Sequence, residues 1–236
     1  MSDTLYAVIP AYNEQATIGL VIDQWYPVVA ATGPASRLVV LNDGSTDDTL
    51  ALLRQAALSR PQLEVVDKPN SGHGGSVLAG YRHAVAAGAD YIFQTDSDGQ
   101  TDPAEFAAFW AARREADLVI GRRVHRQDGL SRLVVTRVLR LAVLALFRVH
   151  AVDANAPFRL MTRDSLARAI ERIPDGYNLT NVAVTAWYLK HGRPVRWLPI
   201  TFKPRQGGVN SINLRKISRI GRQAIADFAR LNKTLA

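Results

Sequence analysis

The 236-residue chain is predicted to be an α/β protein: a doubly wound, mostly parallel sheet flanked by helices, with a basic helical C-terminal portion. Three observations lead there. Short β-type runs alternate with helical stretches over the first 120 residues. The runs are rich in Val and Ile with little polar alternation, the pattern of strands covered on both faces. Polar residues gather just after several runs, where a parallel sheet presents its carboxyl ends to ligands.

The expected strands are Leu5–Ile9, Arg37–Leu41, Leu63–Val66, Tyr91–Thr95 and Leu118–Ile120. Helices are expected near Ala16–Ala30, Asp47–Ser59, Gly75–Ala87 and Pro103–Glu115, the last with Asp102 as its N-cap and Pro103 at the first helical position. After Gly121 the character changes. Leu130–Phe147 reads as a long helix carrying Arg132, Arg137 and Arg140, too short and too charged in its apolar part to span a bilayer, which needs about 20 apolar residues. Its arginines cover roughly half of the wheel. It suits a core helix, a homodimer helix or one lying in the headgroup layer of an anionic membrane. Phe158–Met161 and Val195–Phe202 read as further strands, and Ile212–Leu231 as a closing basic helix.

Composition narrows the classes. Hydrophobic residues make up 47% of the chain, enough for a substantial core. There is no cysteine, so disulfides, thiolate catalysis and Cys-type zinc sites are excluded. The N-terminus runs straight into a strand without a signal-peptide pattern, which leads to an expected cytoplasmic location. The net charge of +8 is unevenly divided: residues 1–120 carry 7 Lys/Arg against 15 Asp/Glu, and residues 121–236 carry 22 against 6. An acidic half suited to a metal therefore adjoins a basic half suited to phosphate or anionic lipid. Nucleic acid is not expected, because no recognition helix, zinc finger or aromatic platform accompanies the basic residues.

The strand ends carry the chemistry. Gln94-Thr95-Asp96-Ser97-Asp98-Gly99-Gln100 follows a buried run and aims two carboxylates into one cleft. Paired anions raise each other's pKa, a conflict that a divalent cation removes. Asp96, Asp98 and the Gln100 carbonyl make an all-oxygen set suited to Mg²⁺ or Mn²⁺; a polar turn leading into the next helix is the plainer alternative. Strand one ends in Pro10-Ala11-Tyr12-Asn13-Glu14, where a ring can stack on a base and a carboxylate can bond a ribose, or where Asn13 simply caps a helix. Asp43, after strand two, points into the same cleft, and Ser45 or Thr46 can cap the following helix. The glycine-rich segment Asn70–Ser76, Gly74 included, can approach a sugar or diphosphate through its N–H groups, and an ordinary loop fits equally. No dinucleotide fingerprint or Walker loop is present, which counts against NAD and ATPase chemistry. Tyr12-Asn13-Glu14 is the wrong chemistry for the triphosphate grip of a nucleotidyltransferase.

Together, Val8–Glu14, Asn42–Thr49 and Asp96–Gln100 closely resemble, in order and spacing, the family-2 glycosyltransferases of GT-A fold. The resemblance implies that Pro10, Tyr12, Glu14 and Asp43 hold the nucleotide, with Gly74 and Ser97 on the donor side, and that Asp96 and Asp98 hold the metal. Residues 1–125 would then be the nucleotide-sugar and metal-binding half, and 126–236 the acceptor half, of one continuous catalytic domain. Gly121-Arg122-Arg123, Asp153–Arg159 and Phe202–Gly208 are similar to the acceptor side of dolichyl- and polyprenyl-phosphate sugar synthases. By that likeness Arg123, Arg159 and Arg205 would clamp phosphate, because guanidinium matches it bidentately; a surface or core-edge ion pair is the plainer alternative for each, and fits Arg159 equally. The last motif departs from the synthases' pattern: Ser211 comes one residue late, and Ile212 stands where lysine is usual. Gly99 replaces a common leucine, and no C-terminal transmembrane pair follows.

The implied activity is inverting transfer of a hexose from a GDP- or UDP-sugar to a polyprenyl phosphate at the cytoplasmic membrane surface. Saccharide-acceptor relatives carry an acidic pair where this chain has Gly176–Asn181, without a carboxylate. A phosphate acceptor is already ionised and needs no general base. Asp153 is the remaining candidate base for a hydroxyl acceptor. The catalytic set expected is thus Asp98, Asp153, Arg123 and Arg205. A saccharide acceptor and a catalytically silent nucleotide-sugar binding protein are the alternatives.

Overall fold

The computed structural model describes residues 3–124, Leu144 and 147–203. Arg205 and most of the two basic segments expected to be helical, Leu130–Phe147 and Ile212–Leu231, lie outside the described residues. In chain order the elements are β1 (Leu5–Ala11), α1 (Ile18–Ala30), β2 (Arg37–Asp43), α2 (Thr49–Ala57), β3 (Leu63–Lys68), α3 (Gly72–Ala86), β4 (Tyr91–Thr95), α4 (Phe106–Ala111), β5 (Leu118–Arg123), β6 (Phe158–Thr162), α5 (Arg163–Ile170), α6 (Thr180–Lys190) and β7 (Val195–Ile200). The expected helix at Pro103–Glu115 is broken into a 3₁₀ turn, the short α4 and a second 3₁₀ turn. Its N-cap is as expected, with the Asp102 side chain accepting the Ala104 N–H.

The seven strands form one sheet in the order β3-β2-β1-β4-β6-β5-β7. Neighbours are parallel except around β6, which runs antiparallel to both β4 and β5. β6 and β7 come from the second half of the chain, so both halves build the same sheet.

Strand residues alternate between faces, and here both faces are apolar. Leu5, Ala7, Ile9 and Phe93 pack with α1 and α4, where Trp25 lies 5.2 Å from Phe93 and 5.8 Å from Phe158 between ring centroids. Val8, Leu41 and Ile92 pack with α3, α5 and α6. Double coverage explains why the runs read as continuous hydrophobics. Helix α3 lies close on the sheet because Gly80 has no side chain: a Cβ there would come within 2.3 Å of Val8 Cγ1.

Candidate active site

At the carboxyl ends of β1 and β2 the two loops are laced together by side chains. Asn13 adopts a left-handed backbone with φ 53°, a conformation Asn tolerates better than most residues. Its N–H donates to Ser45 Oγ (3.0 Å), and its Oδ1 accepts the Thr46 N–H (2.8 Å). Asn13 therefore bridges loops instead of capping α1, and Asp47, not Ser45 or Thr46, accepts the first amide of α2, from Thr49 (3.0 Å). The lacing leaves Tyr12 about half exposed at the rim. Pro10 is buried within β1, opposite Leu41. Glu14 is buried: its N–H donates to Thr49 Oγ1 (2.9 Å), and Thr17 Oγ1 donates to its carboxylate (2.9 Å). The same Thr17 hydroxyl lies 3.3 Å from the Ser97 carbonyl, which ties the end of β1 to the loop after β4.

Asp43 ends β2 and is almost wholly buried. Its Oδ1 accepts Lys68 Nζ and the Ser71 N–H (2.8 Å). Lys68 also donates to the Pro69 carbonyl and Ser71 Oγ, each at 2.8 Å, so all three ammonium hydrogens are used. Burial alone would raise the Asp43 pKa, but the Lys68 ammonium and the Ser71 N–H outweigh it and hold the carboxyl below its ordinary value. Asp43 is thus ionised and fixed.

After β4 come the two aspartates. The Asp96 side chain is partly exposed, Gln94 Nε2 donates to its Oδ1 (2.9 Å), and His73 Nε2 stands 3.7 Å away. Asp98 Oδ1 accepts the Gln100 N–H (3.1 Å). Gln100, whose carbonyl is expected among the metal donors, accepts the Lys203 N–H on its backbone carbonyl (2.8 Å) and donates from Nε2 to the Lys203 carbonyl (2.8 Å). Gln100 therefore joins the metal loop to the segment after β7, with Lys203 Nζ also 2.8 Å from Asp102 Oδ2. No group of three or more His, Asp or Glu side chains among the described residues makes a protein-only cage. Two adjacent carboxylates at a cleft mouth nevertheless fit Mg²⁺ or Mn²⁺, which characteristically take one or two carboxylates and complete their shell with substrate phosphate and water.

Gly74, expected on the donor side, sits in the first turn of α3. A Cβ on Gly74 would lie 2.2 Å from the Asn178 carbonyl oxygen. Its bare α-carbon lets the first turn of α3 pack directly on the Tyr177–Asn178 backbone.

On the acceptor side, Arg123 at the end of β5 forks onto Asp153: Nε to Oδ2 and Nη2 to Oδ1, both 2.7 Å. The pair is largely buried, and Arg123 lies 5.1 Å over the Phe202 ring. Arg159 corrects the phosphate-clamp expectation. It is fully buried in β6, and its guanidinium donates to the carbonyls of Ala154, Ala156 and Asn181 and to Thr185 Oγ1 at 2.6–3.1 Å. It fastens the loop after Asp153 to α6 and has no face for a ligand.

Sequence reasoning passed over Thr17, Lys68, Gln94 and Asn181. A signal existed for two of them. Lys68 is a charge closing an otherwise apolar strand, and Gln94 is a long amide inside a buried one.

A sheet that gathers Glu14, Asp43, Asp96 and Asp98 at the carboxyl ends of β1, β2 and β4 defines a nucleotide-sugar-type α/β transferase site. The model of glycosyl transferase family 2 matches residues 6–184, and the chain belongs to that family; it is a glycosyltransferase. Over 218 residues it is 28% identical to the undecaprenyl-phosphate mannosyltransferase of Micrococcus luteus, covering 87% of this chain and 86% of that one. It is 29% identical over 216 residues to the polyprenol monophosphomannose synthase of Mycolicibacterium smegmatis, covering 87% and 80%. Among solved structures, glucosyl-3-phosphoglycerate synthase of Mycobacterium tuberculosis, in complex with Mn²⁺ and UDP-glucose, superposes with a TM-score of 0.70 at 21% identity, covering 98% of this chain and 79% of that one. That likeness establishes the shared GT-A fold. No helix among the described residues is long and apolar enough to cross a membrane.

Proposed function

We propose that the chain transfers a hexose from a GDP- or UDP-linked donor to a polyprenyl phosphate, with inversion, at the cytoplasmic face of a membrane it contacts peripherally. Both relatives named above act on polyprenyl acceptors by their names, and the likeness runs through the acceptor half as well as the donor half. The observation that carries the acceptor class is the Arg123–Asp153 fork. With both Asp153 oxygens on one guanidinium, this carboxylate is poorly placed to accept a proton from a hydroxyl. A lipid phosphate brings its own negative oxygen.

Asp43 and Glu14 bind the base and ribose, with Tyr12 stacking from the rim and Pro10 shaping the pocket floor. Asp96 and Asp98 would hold Mg²⁺ or Mn²⁺, and Ser97 lines the same loop. When bound there, the metal would supply Lewis-acid stabilisation of the departing nucleoside diphosphate. Arg123, held in plane by Asp153 and backed by Phe202, presents its remaining N–H edge to phosphate, and Arg205 adds a second cation. An acceptor phosphate oxygen attacks the anomeric carbon, that carbon's bond to the diphosphate oxygen breaks, and the electron pair leaves on the diphosphate. Residues 1–125 supply the nucleotide-sugar and metal-binding half and 126–236 the acceptor half, with Arg123 at their border paired to Asp153.

The test is transfer from a panel of GDP- and UDP-sugars with Mn²⁺ or Mg²⁺, with and without a short-chain polyprenyl phosphate. Lipid-dependent release of nucleoside diphosphate that EDTA abolishes is expected. Metal-dependent turnover with a saccharide and none with the lipid would overturn the acceptor assignment and make Asp153 the base to examine. Metal-dependent donor binding with no turnover on any acceptor would point to a silent binding protein.

A further inference from the structure

Behind Asp96 runs an unbroken line of buried polar side chains. Ile92, Gln94 and Asp96 alternate along β4 and its exit onto the face covered by α3 and α6. Tyr81 OH, in α3, donates to Asn181 Oδ1 (2.8 Å); Asn181 Nδ2, at the start of α6, donates to Gln94 Oε1 (2.9 Å); Gln94 Nε2 donates to Asp96 Oδ1 (2.9 Å). Tyr81, Asn181 and Gln94 are all buried.

The polarity of this line is fixed. Each amide receives through its oxygen and gives through its nitrogen. A flipped Gln94 would set a carbonyl against the Asp96 carboxylate and an NH₂ against the Asn181 NH₂. The carboxylate fixes Gln94, Gln94 fixes Asn181, and Asn181 Oδ1 leaves Tyr81 to donate; burial pushes its phenol well above the ordinary range and keeps that proton in place. Asn181 is held from the far side: its backbone carbonyl accepts Arg159 Nη1 and Thr185 Oγ1, each at 2.9 Å. Packing offers no reason for two amides here, since burying them is unfavourable unless every polar atom is matched. The match ends on the carboxylate.

From this geometry we infer that Gln94, oriented by Asn181 and Tyr81, is a positioning residue that anchors Asp96 through Oδ1 and so would set the carboxylate's orientation for a divalent cation. The inference rests on the reading of Asp96 as a metal carboxylate. Outer-shell partners of this kind typically contribute about 10–100-fold to metal affinity.

Mn²⁺ binding to the full chain is measured by the loss of the free-ion EPR signal, in the presence of whichever of UDP and GDP the wild type binds. Gln94→Met keeps the volume and removes the donor; its Mn²⁺ dissociation constant is expected to rise about 10–100-fold. Tyr81→Phe removes only the remote hydroxyl and is expected to raise it about 3-fold, the size of one ordinary hydrogen bond. Ser165→Ala removes an equally buried hydroxyl from the same core, 2.7 Å from Tyr188 OH, and is expected to lower the melting temperature while leaving Mn²⁺ affinity unchanged. If Gln94→Met does not fold, Tyr81→Phe against Ser165→Ala decides. Wild-type affinity in the line's variants, or an equal loss in Ser165→Ala, would overturn the inference. A wild type that binds no Mn²⁺ with either nucleotide would instead overturn the metal reading beneath it.

Discussion

At the scale of single residues, the site is a set of charges each pinned by a named partner, and the pins set the expected outcomes. Asp96→Ala should abolish turnover in the transfer assay. Asp153→Asn separates two roles: if the side chain only aligns Arg123, kcat should fall less than about 10-fold, whereas loss of a general base costs about 10²–10⁴-fold. Asp43 supplies a pH dependence. Its pKa is lowered on folding, so it stabilises the native state above the unfolded carboxyl pKa, and that contribution is lost as pH falls through the folded value. Lys68→Met removes the compensating ammonium, and its acid-unfolding midpoint should move to higher pH, read by circular dichroism. The acidic residues were legible in the sequence because strand-end carboxylates are conspicuous. Their partners were not, since Lys68 lies 25 residues from Asp43 and Asn181 lies 87 from Gln94. Arg159 was misread for the same reason: an arginine beside a loop looks like a phosphate ligand until four acceptors are found around it.

At the scale of elements, helix α3 owes its seating to two missing side chains, at Gly80 against the sheet and at Gly74 against the Tyr177–Asn178 backbone. Gly80→Ala should cost about 1–3 kcal/mol by forcing α3 away from Val8 and Leu41, seen as a lower denaturant midpoint with unchanged slope. Gly74→Ala should cost at least as much, because the obstacle is backbone at Asn178. The strands of the first half were legible because each is apolar on both faces and bounded by turn residues. Helix α6 was not. Residues Thr180–Tyr188 are buried on every side, so no polar stripe marks the helical period, and Thr180, Val182, Val184 and Thr185 make the run look strand-like. Helix α5 spans only 8 residues, too few turns for a periodic pattern to declare itself. Asn13 misled for a local reason: its amide is a good helix cap, and only the neighbouring β2 loop offers it something better.

At the scale of the whole molecule, sequence composition separated an acidic half from a basic one, but the sheet does not divide at that line. β6, from the basic half, lies between β4 and β5 of the acidic half, a pairing no local pattern encodes, because its partners are set by long-range topology. A fragment ending at residue 125 should therefore fail to melt cooperatively in calorimetry, since β4 and β5 would each present an unpaired edge. The same arrangement bears on synthesis. Strands β1 to β4 can pair as they leave the ribosome, but β5 must wait, its hydrogen bonds unclaimed, until Thr162 and then Ile200 have cleared the exit tunnel. Strand β5 thus spends an interval of translation with an open hydrophobic edge. The nascent chain is most exposed to aggregation and to chaperone capture in that window, when the carboxyl ends of β1, β2 and β4 are already in place and the protein is still far from finished.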